Sequence, residues 1–248
     1  MNKLLIILLF IPLNSFGQNK KNDTIHKIQN IKFNYKSIII PTVLIGYGFI
    51  GIENDALKLF NYEIQEELKE HTYNNNFKID DVSLFVPSLS VYGLNALGIN
   101  GKNNFKDRTI ILGTASLIMG STVGGIKKLT SIERPDGSNK FSFPSGHTAT
   151  AFMGAEFLYQ EYKDVSIWYG ISGYLVATGT GFLRMYNNRH WFTDIVTGAG
   201  IGILSTKIAY WIHPFVKKTL FKDKKEINGL VIPFYNGKEY GLGLSMLF

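Results

Sequence analysis

With 248 residues, the chain is long enough for one domain with a sizeable core and flanking pieces. Cysteine is absent, which excludes a disulfide framework, a thiol nucleophile and a zinc–thiolate site. The net charge of +7 favours anionic partners, but the lysines that carry most of it are dispersed and no nucleic-acid-binding module is recognisable, so nucleic acid is set aside.

Met1 to Gly17 has the form of a secretory signal peptide: Lys3 at the start, an apolar stretch from Leu4 to Leu13, and Ser15-Phe16-Gly17 as a small-x-small cleavage site. The competing reading is an uncleaved anchor. Polar residues follow (18–36), then the candidate bundle (37–216), then a basic linker with the C-terminal segment (217–248). Ser37 to Ile52 is charge-free but short for a membrane span, and Asn54 to Phe77 reads as an ordinary amphipathic surface helix. Val82–Gly101, Thr109–Ile126 and Val165–Leu183 are charge-free and about as long as a span requires. Thr148–Tyr159 is interrupted by Glu156, and Ile195–Ile212 by Lys207. The long apolar runs favour helix over strand, and Pro41 and Pro87 belong at helix starts or kinks. Abundant Gly, Ser and Thr would let such helices approach closely. They also hold the mean hydropathy to +0.04, so a membrane-embedded bundle and a membrane-associated one both stand. Near the end, Asn236-Gly237 is a two-residue hairpin signal between two alternating segments. The expected fold class is all-α: a bundle of about six core helices with a short C-terminal β-hairpin.

Three clusters carry the chemistry. The chain has only four arginines, and Arg134, Arg184 and Arg189 fall in or beside these clusters together with two of its five histidines. Arginine offers a planar, permanently charged fork suited to phosphate oxygens. In the first cluster Lys127 closes a predicted helix, seven residues before Arg134-Pro135. In the second, Pro144-Ser145-Gly146-His147 leads into a predicted helix whose first N–H groups are free for an anion. In the third, Arg184 precedes His190 by six residues and Asp194 by ten. If a helix runs from Trp191, His190 and Asp194 share a face, and the carboxylate fixes the imidazole tautomer. In an up-and-down bundle all three clusters lie at one end, and the return loop Glu161–Asp164 lies at the other.

Read together as Lys-x6-Arg-Pro, Pro-Ser-Gly-His and Arg-x5-His-x3-Asp, these residues resemble the tripartite signature of the type 2 phosphatidic acid phosphatase family, whose superfamily includes class A acid phosphatases, glucose-6-phosphatases and vanadium haloperoxidases. The likeness covers about Thr109 to Ile212. It departs from the pattern at Leu183, where the family usually has serine. The resemblance implies that His190 attacks phosphorus to form a phosphohistidine, that Asp194 orients it, and that His147 protonates the leaving oxygen and then activates water. Lys127, Arg134, Ser145, Gly146 and Arg184 would bind the phosphoryl oxygens; no metal or cofactor is implied, and Arg189 is only a neighbour.

The expected function is a phosphatase acting on a membrane lipid phosphate or pyrophosphate, of the phosphatidic acid, phosphatidylglycerol phosphate, undecaprenyl pyrophosphate or lipid A type. A soluble periplasmic acid phosphatase is the alternative, followed by a vanadium-dependent haloperoxidase and a non-enzymatic structural protein. The expected partners are the lipid substrate and the membrane, with no obligate protein partner. The expected location is the bacterial cell envelope with the site facing the periplasm. That orientation would hold if Ser37–Ile52 lies at the interface rather than spanning, leaving Lys102–Arg108 and Lys217–Lys225 on the cytoplasmic side.

Overall fold

The computed structural model describes residues 35–70, 78–221, 228–235 and 240–247. The leader expected at 1–17, most of the polar segment after it, and Asn236-Gly237 lie outside these residues. Eight helices are described: α1 (Lys36–Glu53), α2 (Asp55–Glu70), α3 (Asp80–Ser83), α4 (Val86–Ala96), α5 (Phe105–Thr130), α6 (Gly146–Tyr162), α7 (Ile167–Tyr186) and α8 (Phe192–Leu220). Strands β1 (Asn228–Tyr235) and β2 (Tyr240–Leu247) pair antiparallel, Tyr235 opposite Tyr240.

Local chemistry sets the boundaries. Asn104 caps α5 by accepting the Asp107 N–H, and Ser131, in the left-handed region at φ 48°, closes it. Lys127 and Lys128 in the last turn complement the helix dipole. Ser145 caps α6 and Ser166 caps α7, each through its hydroxyl. Pro87 sits in the first turn of α4, where its missing N–H costs nothing.

Helix α6 is the hub. Ala149, Ala151, Met153, Phe157, Leu158 and Tyr162 are all buried, so it is enclosed on nearly every side. Small residues allow α8 to lie against it: a Cβ at Gly202 would stand 2.2 Å from the Ala149 carbonyl oxygen. Gly198 meets Ser145, Gly202 meets Ala149 and Thr206 meets Met153, so α6 and α8 run parallel. Gly48 meets Thr197 and Gly200 meets Pro41, so α1 runs antiparallel to α8. The C-terminal ends of α1, α5 and α7 therefore gather with the N-terminal ends of α6 and α8. The turn after Glu161 lies at the other end, where Lys102 N–H donates to the Glu161 carbonyl and Tyr162 Oη donates to the Ile99 carbonyl.

Two expectations about the helices are corrected. Val82–Gly101 is not one long helix: α3 and α4 are separate, and α4, at 11 residues, is only about 16 Å long. Asn54–Phe77 is not an ordinary surface helix. Within it α2 buries Asn61 and Gln65 beside the half-buried Leu57 and Ile64, and exposes Leu59, Phe60 and Tyr62 together with its glutamates.

Among the described residues, three helices are long and apolar enough to cross a membrane: α1, α5 and α8. The segment read as too short (α1) and the one interrupted by Lys207 (α8) both qualify, whereas Val165–Leu183, diluted by Gly, Ser and Thr, forms α7 but does not. The apolar stretch of α8 is 67% buried, against 17% for α1, which turns Ile39, Ile40, Val43 and Ile50 outward. Such outward apolar faces suit a lipid solvent, and the protein is membrane-associated. Lying along α8, α1 belongs to the bundle. Lys207 is accommodated because its Nζ donates to the buried Glu156 at 2.7 Å; Gln160 and Tyr174 also donate to that carboxylate.

Candidate active site

The loop between α5 and α6 folds back on itself. Arg134 N–H donates to the Asn139 carbonyl, Gly137 turns the chain at φ +68°, and Ser142 N–H donates to the Ile132 carbonyl. Lys127, at the end of α5, reaches across this loop, with Nζ 2.5 Å from the Phe141 carbonyl oxygen and 3.1 Å from that of Ser142. The loop is fastened to the segment before α8 by two contacts. Trp191 Nε1 donates to the Glu133 carbonyl, and Arg189 Nη1 meets Asp136 Oδ2 at 2.9 Å. Arg189 thus ties the first cluster to the third, and burial of the Asp136 carboxyl is outweighed by bonds from Ser138 and the charge of Arg189, which hold its pKa below the ordinary value.

At the centre is His190, only 1% exposed. It precedes α8 rather than lying on it. Asp194, in the helix's first turn, reaches back, so the predicted i, i+4 pair forms across the helix start instead of along a helical face. One oxygen, Asp194 Oδ2, accepts three donors: His190 Nδ1 at 3.2 Å, Trp191 N at 2.9 Å and Ser142 Oγ at 2.5 Å. With Nδ1–H committed to the carboxylate, Nε2 is left as the lone-pair nitrogen of a neutral imidazole. Burial pushes the His190 pKa down to about 4, against the opposing pull of Asp194, and the charges of Lys127 and Arg184 add to the lowering.

The cations converge. Lys127, Arg134 and Arg184 act electrostatically on one another, and Lys127 and Arg134 also feel Asp194. Burial and the nearby Arg184 lower the Arg134 pKa. Arg184 is buried near the end of α7, where Nη1 meets Asp80 Oδ2 at 2.6 Å. The Nε–H groups of Arg134 and Arg184 are both buried without a hydrogen-bond partner among the described residues. Buried donors of this kind call for an acceptor.

The second cluster lies alongside, and the Ser145 N–H donates to the Asp194 carbonyl. The Ser145 hydroxyl is wholly buried and bonded to Thr148, so here it is a helix cap. A Cβ at Gly146 would meet only Val123, at 3.8 Å, so packing alone does not demand glycine there. His147 sits in the first turn of α6 with Nε2 2.9 Å from Asp81 Oδ1. Burial and then Arg184 lower its pKa, with Asp81 and Asp80 opposing. A cleft of about 450 Å³ opens beside the site, lined by Lys58, Asn61 and Tyr62 of α2 and by Arg134, Trp191 and Asp194. Asn61 and Thr193 exchange hydrogen bonds, and Gln65 Nε2 donates to Asn188 Oδ1, so α2 grips the segment that carries His190.

All eight residues singled out in the sequence therefore lie at one end of the bundle, with Lys127, Arg134, Arg184, His147, His190 and Asp194 in electrostatic or hydrogen-bond contact. Sequence reasoning missed Ser142, Asp80, Asp81, Asn61 and Gln65. Ser142 stands three residues before Ser145, within reach of the second cluster, but the two aspartates and α2 had no motif to mark them.

The match to the PAP2 superfamily covers residues 109–218. A Porphyromonas gingivalis protein named lipid A 1-phosphatase is 33% identical over 200 residues, which make up 75% of this chain and 44% of that one. The chain thus spans less than half the length of this relative. Among solved structures, Aquifex aeolicus LpxE is similar at 23% identity over 61% of this chain and 94% of its own, with a TM-score of 0.48. A Bacillus subtilis transmembrane PAP2-type phosphatidylglycerolphosphate phosphatase is similar at 21% identity over 75% and 98%, also at 0.48.

Proposed function

Because the chain belongs to the PAP2 superfamily through residues 109–218, we propose that it is a metal-independent phosphatase that removes phosphomonoester or pyrophosphate groups from membrane lipids through a phosphohistidine. The observation that carries this reading is the buried His190–Asp194 pair set among three cations, two of which hold unspent buried N–H donors. His190 Nε2 attacks phosphorus in line. The P–O ester bond breaks, and its electrons go to the leaving oxygen, which takes a proton from His147. Water then attacks the phosphohistidine, His147 takes the water's proton, the P–N bond breaks and phosphate leaves. Lys127, Arg134 and Arg184 stabilise the charge that grows on the equatorial oxygens.

The apolar exterior and the cleft under α2 support an amphiphilic substrate, and the name of the P. gingivalis relative supports one of lipid A type. A site facing the periplasm places the Lys36 end of α1 on the cytoplasmic side with Lys102–Arg108 and Lys217, where basic residues are favoured. The test is phosphate release from a panel of lipid and soluble phosphoesters by detergent-solubilised protein, with trapping of labelled phosphate. Activity on lipid phosphates, with labelling lost in His190→Ala, supports the proposal; labelling that survives in that variant refutes the assignment of the nucleophile.

A further inference from the structure

The short helix α3 brings two consecutive carboxylates to the site from outside the three clusters. Asp80 is 1% exposed and holds Arg184, whereas Asp81 is largely exposed and makes its closest contact with His147. α3 is fixed from behind, with Ser83 Oγ 2.7 Å from Thr180 Oγ1 and Leu84 buried in a cluster with Ala151, Ala155 and Ala177. The two aspartates are therefore presented by a braced turn, and Asp81 is held in reach of one ring nitrogen of His147.

A carboxylate accepts but cannot donate when ionised, so Asp81 Oδ1 takes the Nε2–H of His147 at 2.9 Å. This commits the other nitrogen. In the imidazolium, Nδ1–H is the proton that can be given; in the neutral ring, Nδ1 is the lone pair that can receive one. We propose that Asp81 is the positioning residue of His147, holding its Nε2–H so that Nδ1 serves first the leaving oxygen and then the attacking water. The inference rests on the phosphatase reading above and adds to it a second carboxylate–imidazole pair of opposite sense. Asp194 holds Nδ1 of the nucleophile and frees Nε2, while Asp81 holds Nε2 of the acid and frees Nδ1.

The electrostatics give such a residue work to do. His147 starts a helix, whose N-terminus disfavours a cation, and Arg184 of α7 faces it. Against these stand Asp80 and Asp81 of α3. Of the two, Asp80 is bonded to Arg184, so Asp81 is the carboxylate in direct contact with the ring.

The test compares wild type, Asp81→Asn and Asp81→Glu on two substrates, phosphatidic acid in detergent micelles and 4-nitrophenyl phosphate, whose leaving group departs without a proton. Asp81→Asn should lower kcat/KM on phosphatidic acid by about 10- to 100-fold. It should lower it much less on the nitrophenyl ester, and shift the alkaline limb of the phosphatidic acid profile to lower pH. Asp81→Glu should recover most of the loss. An equal loss on both substrates with an unmoved limb, or no loss at all, overturns the proposal. Failure of the wild-type protein to release phosphate from either substrate or to label on His190 would overturn the phosphatase reading, and this proposal with it. Because Asp81 is exposed, the asparagine variant is expected to fold, and its thermal midpoint checks that.

Discussion

Asp194→Asn puts the central claim about the site to its hardest test. In the native protein the carboxylate stands 3.2 Å from His190 Nδ1 with both groups 1% exposed. In the proposed mechanism Nε2 attacks phosphorus, and the ring acquires positive charge that this carboxylate faces. At an effective dielectric constant of about 20, two unit charges at that separation attract by about 5 kcal/mol. Losing that attraction in the transition state corresponds to about 10³- to 10⁴-fold in kcat. The amide oxygen of asparagine can still accept the Trp191 N–H, so the first turn of α8 survives and the loss falls on chemistry rather than folding. The assay is phosphate release from a lipid phosphate in mixed micelles, paired with the thermal midpoint in detergent. A variant that keeps kcat within tenfold of wild type would refute the argument that this carboxylate supports charge on His190.

Further outcomes follow from the same geometry. The pH dependence of kcat/KM should be bell-shaped and acidic: His190, held down to about 4, is a neutral nucleophile only above that value, and His147, held below the ordinary 6.5, is a protonated acid only below it, so activity rises through about pH 4 and falls before 6.5. A flat profile across this range contradicts both assignments. Gly202→Ala pushes a methyl group to 2.2 Å from the Ala149 carbonyl oxygen and should cost about 1–3 kcal/mol or more, read as a lowered thermal midpoint. Gly120→Ala on α5, where a Cβ meets nothing within 4 Å, should leave the midpoint unchanged or raised. Lys207→Met leaves Glu156 buried without its cation and should cost about 3–5 kcal/mol, while adding Glu156→Gln should recover most of that loss.

The three clusters were legible because phosphoryl chemistry needs particular side chains at fixed spacings, and helix order alone brings those spacings to one end. The helices themselves were legible as apolar runs, but which of them are long and apolar enough to cross a membrane was not. Lys207 looked like an interruption in α8 because its partner, Glu156, lies fifty-one residues away on another helix. Val82–Gly101 looked continuous because apolar content does not register the break between α3 and α4. The role of α2 was hidden for a related reason. Amphipathicity shows that a helix has two faces, but Asn61 and Gln65 face inward only because Thr193 and Asn188 wait there with complementary groups. Asp80 and Asp81 looked like an ordinary charged turn, since their partners Arg184 and His147 are more than sixty residues distant.

The sharing of Asp194 Oδ2 among three donors reaches beyond the chemical step. Trp191 N–H, which opens α8, and His190 Nδ1–H, which orients the proposed nucleophile, end on the same atom. Winding the first turn of this helix and readying the imidazole are thus one event. Gentle heating or mild denaturant that frays this corner should silence turnover while far-UV dichroism still reports an intact bundle.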